Sequence, residues 1–292
     1  MSNVNEIHDD EFRVIGTHTD RKPEPKSHKG LIVKCAILAL FVLTCVGLIL
    51  WHQSNQDVIV DNLFDPEMDD TVQDVNLNLE PDSKISSACA MHDSIIVNDI
   101  QLDIFVPVNA KPSLAVGKIN PQNENIVLCT QATDVRADNG QITGSFIING
   151  ELISHGYSHK WGFCSIIGDR LKLGAAQETP EFEESLNNNG SFFRQHPLIV
   201  NGHIYKSTIK GKAVRKALCE IDGKFVVVMT RTRESIHDFS LALHDIKSVN
   251  AIYLVGADSY TFYRDENGDL MEFNTPLYEK NHNVNYIYWS RK

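Results

Sequence analysis

From residue 94 onward the chain alternates short apolar runs with tight polar turns. That is the signature of short strands rather than of long helices. The runs 94–97, 102–106, 114–119 and 126–130 open the series. Turn dipeptides then fall between apolar runs at Asn149-Gly150, Gly168-Asp169, Asn201-Gly202, Asp222-Gly223 and Asn267-Gly268. Asn-Gly and Asp-Gly adopt positive φ readily and so close two-residue hairpins. Residues 146–149 with 152–153, 164–167 with 171–173, and 198–200 with 204–205 read as hairpin arms. The clearest pair is 218–221 with 225–229. Two stretches have helical character. Pro180 with early acids suits a helix start at 180–187, and Asn187-Asn188-Asn189-Gly190 ends it. In 235–246, Ile236, Phe239, Leu243 and Ile246 recur at helical spacing behind Ser235, a candidate N-cap. That helix leads into the apolar strand 251–255. The tail 285–289, Asn-Tyr-Ile-Tyr-Trp, alternates like a closing strand. The pattern predicts an α+β domain with a large, mostly antiparallel sheet and one or two packed helices.

Upstream the pattern changes. Residues 31–51 are apolar apart from Lys34, Thr44 and the small Gly47. About 20 helical residues span a bilayer's hydrocarbon core, so the segment predicts a single transmembrane helix. Arg21, Lys22, Lys26 and Lys29 precede it, and no Lys or Arg follows until Lys84. This asymmetry places the short N-terminus in the cytoplasm and the C-terminal part outside the cell membrane, in a periplasm if the cell is bacterial. A cleaved signal peptide is the alternative, and the long polar leader counts against it. The organisation read from the sequence is a cytoplasmic tail (1–30), an anchor (31–51), a stalk (52–84) and an outer domain (85–292).

Charge sharpens that division. The formal net charge is -11. Residues 52–84 hold nine acids and one base (-8), residues 1–34 six of each (0), and the remainder therefore carries -3. The acidity belongs to the Asp/Asn-rich stalk, which reads as a solvated spacer unless 58–60 or 75–79 adds an edge strand. No basic footprint for nucleic acid is present. Cys89, Cys129, Cys164 and Cys219 lie outside the anchor, where three disulfide pairings and free thiols are all open. There is no CxxC and no Cys/His ligand spacing, so no zinc site is read and no cofactor is assigned.

Three clusters carry chemistry. In 191–202, Arg194, Gln195 and His196 stand between an aromatic pair and a strand. Arg with His is a combination that holds phosphate and supplies a proton. In 212–217, Arg215 precedes a buried strand and is a candidate anion ligand. In 251–260, the strand Ala-Ile-Tyr-Leu-Val ends in Gly256-Ala257-Asp258-Ser259. Strand-end Asp and Ser build sites and also cap turns.

The order of these parts resembles the phosphodiester glycosidase family over roughly 102–264. Pro197-Leu198-Ile199-Val200-Asn201-Gly202 is similar to the latter part of the family's Gly-Pro-x-Leu-Val-x-x-Gly stretch. Arg215 matches the Arg that opens the next strand. Leu254-Val255-Gly256-Ala257-Asp258-Ser259 stands where the family has Leu-Asp-Gly-Gly-Gly-Ser. Here Val255 replaces the family Asp, and Ala257 and Asp258 replace two Gly. An Asn-Gly-Gly-Phe element expected near 130–135 is absent, and Asp134 and Arg136 occupy that region.

The resemblance implies hydrolysis of a sugar-1-phosphodiester in the cell envelope. Glycoside cleavage usually uses a pair of carboxyl groups. The implied catalytic set is Asp134, His196 and Asp258. The implied substrate-binding set is Arg136, Arg194, Arg215, Gly256 and Ser259. The replaced Asp and Gly residues leave a second reading open: an inactive relative that binds glycans or serves as an envelope assembly partner. Convergence of Asp134, Arg194, Arg215 and Asp258 on one cleft is the spatial test between the two.

Overall fold

The computed structural model describes residues 42, 44–46, 75, 77–81, 85–156, 160–257, 259–274 and 282–291. Most of 31–51 lies outside these, so the anchor expectation falls on undescribed residues. Among the described residues no helix is long and apolar enough to cross a membrane.

Among the described residues from 85 onward the fold is sheet-rich, with every strand pairing antiparallel and two helices. The strands, in chain order, are β1 (Cys89–Val97), β2 (Ile100–Val108), β3 (Ala110–Val116), β4 (Ile126–Gln131), β5 (Phe146–Ile148), β6 (Glu151–Ser154), β7 (Gly162–Ile167) and β8 (Arg170–Ala175). Helix α1 (Pro180–Asn187) follows. Then come β9 (Ser191–Gln195), β10 (Pro197–Val200), β11 (His203–Ile204), β12 (Ala213–Ile221) and β13 (Lys224–Glu234). Helix α2 (Ile236–Asp245) precedes β14 (Asn250–Leu254), β15 (Thr261–Arg264), β16 (Leu270–Phe273) and β17 (Asn285–Arg291). The expected large sheet is three sheets. Seven strands run in the order β1-β2-β13-β12-β14-β10-β11, five in the order β16-β15-β4-β17-β3, and five in the order β6-β5-β9-β7-β8.

Parity along the central strands explains the layering. Ile104, Ala217, Cys219, Val226, Val228 and Ala251 pack in one core with Phe239 and Leu243 of α2. Their alternate neighbours Phe105, Leu218, Val227 and Ile252 join Val127, Leu128 and Ile287 of the second sheet and Phe146 and Cys164 of the third. A sheet covered on both faces needs apolar residues at both parities. This is why β2, β12 and β13 read as continuous apolar runs rather than as clean alternation.

The turns follow the residue chemistry. Asn149-Gly150, Asn201-Gly202 and Asp222-Gly223 all have positive φ at both central positions, the backbone of type I′ hairpins. Asn98-Asp99 closes β1–β2 the same way without a glycine. Ser235 caps α2, its hydroxyl accepting from the Asp238 amide at 3.0 Å. Pro180 begins α1, with Glu181 and Glu183 in its first turn. The four cysteines of this domain are free and buried. At the end of the expected stalk, Leu79 is buried against the helix-side core, with Val75 and Leu77 beside it. Lys224 there donates to Leu79 O and pairs with Glu80.

Candidate functional site

A cluster of polar side chains surrounds Asp134. The chain leaves β4 and is pinned by Asn285, whose Oδ1 accepts from the Thr133 amide at 2.8 Å and whose Nδ2 donates to Thr133 O at 3.2 Å. Thr143 returns to bond Asp134 O through its amide and hydroxyl, at 3.0 and 3.1 Å. The Asp134 carboxylate, 40% exposed, therefore sits on a fixed loop. Its Oδ2 accepts from Lys160 Nζ at 2.7 Å and from Gln195 Nε2 at 3.1 Å. Lys160 is buried and donates also to Thr143 Oγ1 at 2.9 Å. Gln195 Oε1 accepts from the His196 amide at 3.1 Å, tying the Pro-constrained end of β9 to the same cluster.

The electrostatics are those of a matched pair. Burial pushes the Asp134 carboxyl up, but the Lys160 charge and the bonds from Lys160 and Gln195 outweigh it and hold it below the usual carboxylate value. Burial lowers the Lys160 ammonium, partly offset by Asp134. Burial and the Lys160 charge lower His196, against the pull of Asp134. At neutral pH the cluster is a carboxylate, an ammonium and a neutral imidazole. It can accept a proton and offer donors and acceptors to hydroxyl groups.

Arg194 leaves β9 beside this cluster but turns its guanidinium to backbone. Nη1 donates to Ala176 O at 2.7 Å and more weakly to Lys160 O and Trp161 O, and Nη2 donates to Gln177 O at 3.0 Å. The side chain pins the lead-in to β7 against the end of β8 and lies over the Phe192 ring. Arg136 forms a two-pronged pair with Asp138 on the surface.

Arg215 lies on β12, and Ser259 follows β14, the strand paired with it. Arg215 stands at a bulge in β12, where the pairing with β13 shifts between Val214 and Lys216. Its amide donates to Thr230 Oγ1, its Nε to Glu234 O and its Nη2 to Gly211 O, at 2.8, 2.8 and 2.5 Å. Gly256 packs against β12 so tightly that a Cβ there would meet Val214 O at 2.1 Å. The next residue, Ala257, takes φ +50° and donates to the same carbonyl at 2.9 Å. The glycine is thus required by the approach of two backbones. Ser259 is buried, donates to Val255 O, and accepts from Lys216 Nζ at 2.9 Å. Asp258 lies outside the described residues. Gln195 ties Asp134 to His196, and His196 O accepts from the amide of Tyr253, whose ring lies beneath the Arg215 guanidinium.

Two lysines escaped the sequence reading. Lys160 belongs to no motif in the sequence. Lys216 lies one residue beyond Arg215, at the parity of Leu218, so it enters the inter-sheet core. There it also donates to Thr261 Oγ1 at 2.5 Å, and burial lowers its ammonium to about 7. Among the described residues no group of three His, Cys, Asp or Glu is placed to hold a metal ion.

No family model matches the chain, and no curated protein is similar to it in sequence. Solved structures resemble it. A hypothetical protein from Synechocystis aligns with TM-score 0.47 at 11% identity, over 70% of this chain and 62% of that one. The catalytic domain of zebrafish N-acetylglucosamine-1-phosphodiester alpha-N-acetylglucosaminidase, auto-inhibited by its pro-peptide, aligns with TM-score 0.51 at 14% identity, over 74% of this chain and 86% of that one. The chain therefore has a distant structural similarity to a phosphodiester glycosidase domain, a likeness of fold.

Proposed function

We propose that this chain is a membrane-anchored, glycan-binding relative of the phosphodiester glycosidases that has lost turnover. Residues 31–51 anchor it, the acidic stalk holds the domain off the membrane, and a carbohydrate of the cell envelope is its ligand. One observation carries the reading: the arginines expected to hold a phosphodiester are bonded to backbone carbonyls, Arg194 to Ala176 and Gln177 and Arg215 to Glu234 and Gly211. The Asp134–Lys160–Gln195 cluster then offers a fixed carboxylate and donors, a set suited to sugar hydroxyls.

The test uses the full-length protein in detergent micelles. It is titrated with envelope-type glycans and incubated with a panel of sugar-1-phosphodiesters. Saturable glycan binding that Asp134→Asn weakens, with no sugar released, supports the proposal. Sugar release that Asp134→Asn abolishes overturns it in favour of the hydrolase.

The hydrolase reading rests on its own observation, the juxtaposition of an ionised Asp134 with Lys160 beside a neutral His196. A phosphomonoester leaves as a stable anion and needs little protonation, so one carboxylate acting as base or nucleophile would serve.

A further inference from the structure

A second polar cleft lies at the start of α2, apart from the Asp134 cluster. Its volume is about 350 Å³, within the range of small-ligand sites. The β11–β12 connection contributes Lys206, Ser207 and Lys210, and the first turns of α2 contribute Ile236, His237 and Ser240. Lys206, Lys210 and His237 are exposed, and the two lysines carry positive charge into the cleft mouth. Ser235 takes the Asp238 and Phe239 amides, so the Ile236 and His237 amides are the ones open to a ligand, and the helix dipole adds partial positive charge there.

Ser240 is the independent observation. It is 1% exposed, and its hydroxyl has no hydrogen-bond partner. Native structures rarely leave a buried hydroxyl unmatched. Ser240 lines the cleft one turn after Ile236 and three residues after His237, so it shares their face of the helix. A ligand oxygen that reached it from the cleft would supply the missing partner.

The surrounding acids sort to the other side. Asp238, Leu241 and Asp245, at helical spacing, line a separate cleft with Asn98, Asp99 and Glu234. Glu234 is also paired with Lys212 and accepts from Thr232. The opening turns of α2 thus divide an acidic cleft from a basic one.

We propose that the basic cleft binds a phosphate-type oxyanion, held by Lys206 and Lys210, by the opening amides of α2 and by the Ser240 hydroxyl. This site is independent of the glycan reading above. The bound group is either free phosphate or the phosphate of a phosphorylated sugar.

The experiment titrates full-length protein in detergent micelles with inorganic phosphate and with glucose 1-phosphate at low salt, by calorimetry and by thermal shift. Saturable binding is expected, weakened about tenfold or more in the Lys206→Gln/Lys210→Gln double variant. Thr208→Ala, on the same exposed segment but outside the cleft lining, keeps wild-type affinity. Ser240→Ala separates a ligand role from a packing role. It raises the midpoint in phosphate-free buffer, because an unmatched hydroxyl is gone, yet weakens phosphate binding several-fold. Tighter binding of the sugar phosphate identifies a phosphorylated glycan as the source, and equal binding identifies free phosphate. No saturable binding of either ligand, or equal affinity in the double variant, overturns the proposal.

Discussion

Lys216 Nζ lies 2.9 Å from Ser259 Oγ, with both residues buried between the seven-stranded sheet and the sheet that holds β15. Thr261 and Thr130 extend the contact into a chain of hydroxyls, their Oγ1 atoms 2.8 Å apart. The ammonium is therefore solvated by hydroxyls and carbonyl alone. Burial lowers its pKa from 10.5 to about 7. The unfolded chain binds this proton below about pH 10.5, and the folded one only below about 7. Stability consequently falls as pH falls from 10.5 to 7 and is flat, for this group, below that. Lys216→Met removes the charge and the slope. We expect it to stabilise the fold at pH 7 by about 2–3 kcal/mol, with the gain shrinking towards about pH 10. Denaturant melts of both proteins at several pH values check this. A variant less stable at pH 7 contradicts it.

The Asp103–Arg231 pair has the opposite pH signature. Asp103 is 1% exposed, and its two oxygens each accept from Arg231 at 2.8 Å, with His92 Nε2 also at 2.8 Å. Burial raises the carboxyl, and the Arg231 and His92 bonds bring it below its usual 3.8. The pair's contribution is thus fully present above pH 3.8 and is lost as pH falls through the lowered native value. Arg231→Met leaves the carboxylate buried with His92 alone. The variant is expected to be less stable than wild type at pH 7, read as a lower denaturant midpoint. The variant's carboxyl then titrates above its unfolded value, so the deficit narrows as pH falls from 7 towards 4. Urea melts across that range read it out, and a constant deficit rules the account out.

Local chemistry was legible where a short segment decides the outcome. Asn149-Gly150 and Asp222-Gly223 set their hairpins, Ser235 set the start of α2, and Asn285–Arg291 is a strand, inside its sheet between β4 and β3 rather than at its close. The division into three sheets was not, because it depends on pairings between distant segments. Phe105 of β2 pairs with Val227 of β13, and Tyr286 of β17 with Gln131 of β4. No local pattern carries such partners. The site divides the same way. Asp134 and His196 were visible as residue types near a family element, and their contact through Gln195 was not. Lys216 was hidden because a bulge at Arg215 resets the inward parity of β12.

Arg194 acts here as a structural clamp. Its four bonds to carbonyls of 160, 161, 176 and 177 hold the segments beside β7 and β8. Lysine cannot reproduce a planar fork. Arg194→Lys is expected to lower stability by about 1 kcal/mol, since at least one part-buried carbonyl loses its donor. Glycan affinity of the folded fraction stays within about twofold of wild type. A large affinity loss without a change in melting would instead make Arg194 a ligand residue.

Gly256 supplies the last test, because it asks whether the turn after β14 is kept for a ligand or for packing. A methyl group there meets Val214 O at 2.1 Å, and that oxygen belongs to a strand fixed between β13 and β14. Neither backbone moves without breaking the bond from the Ala257 amide to the same carbonyl. Gly256→Ala should therefore destabilise by about 2–4 kcal/mol, the range of overpacking with a lost buried hydrogen bond. Gly223→Ala is the control. Its added Cβ meets nothing within 4 Å, and only its φ of +71° is strained, so its cost should be about 1 kcal/mol. Denaturant midpoints of the two variants decide it. A Gly256 variant as stable as the Gly223 variant would mean that β12 and the turn separate easily, and the glycine would then be explained by ligand approach instead.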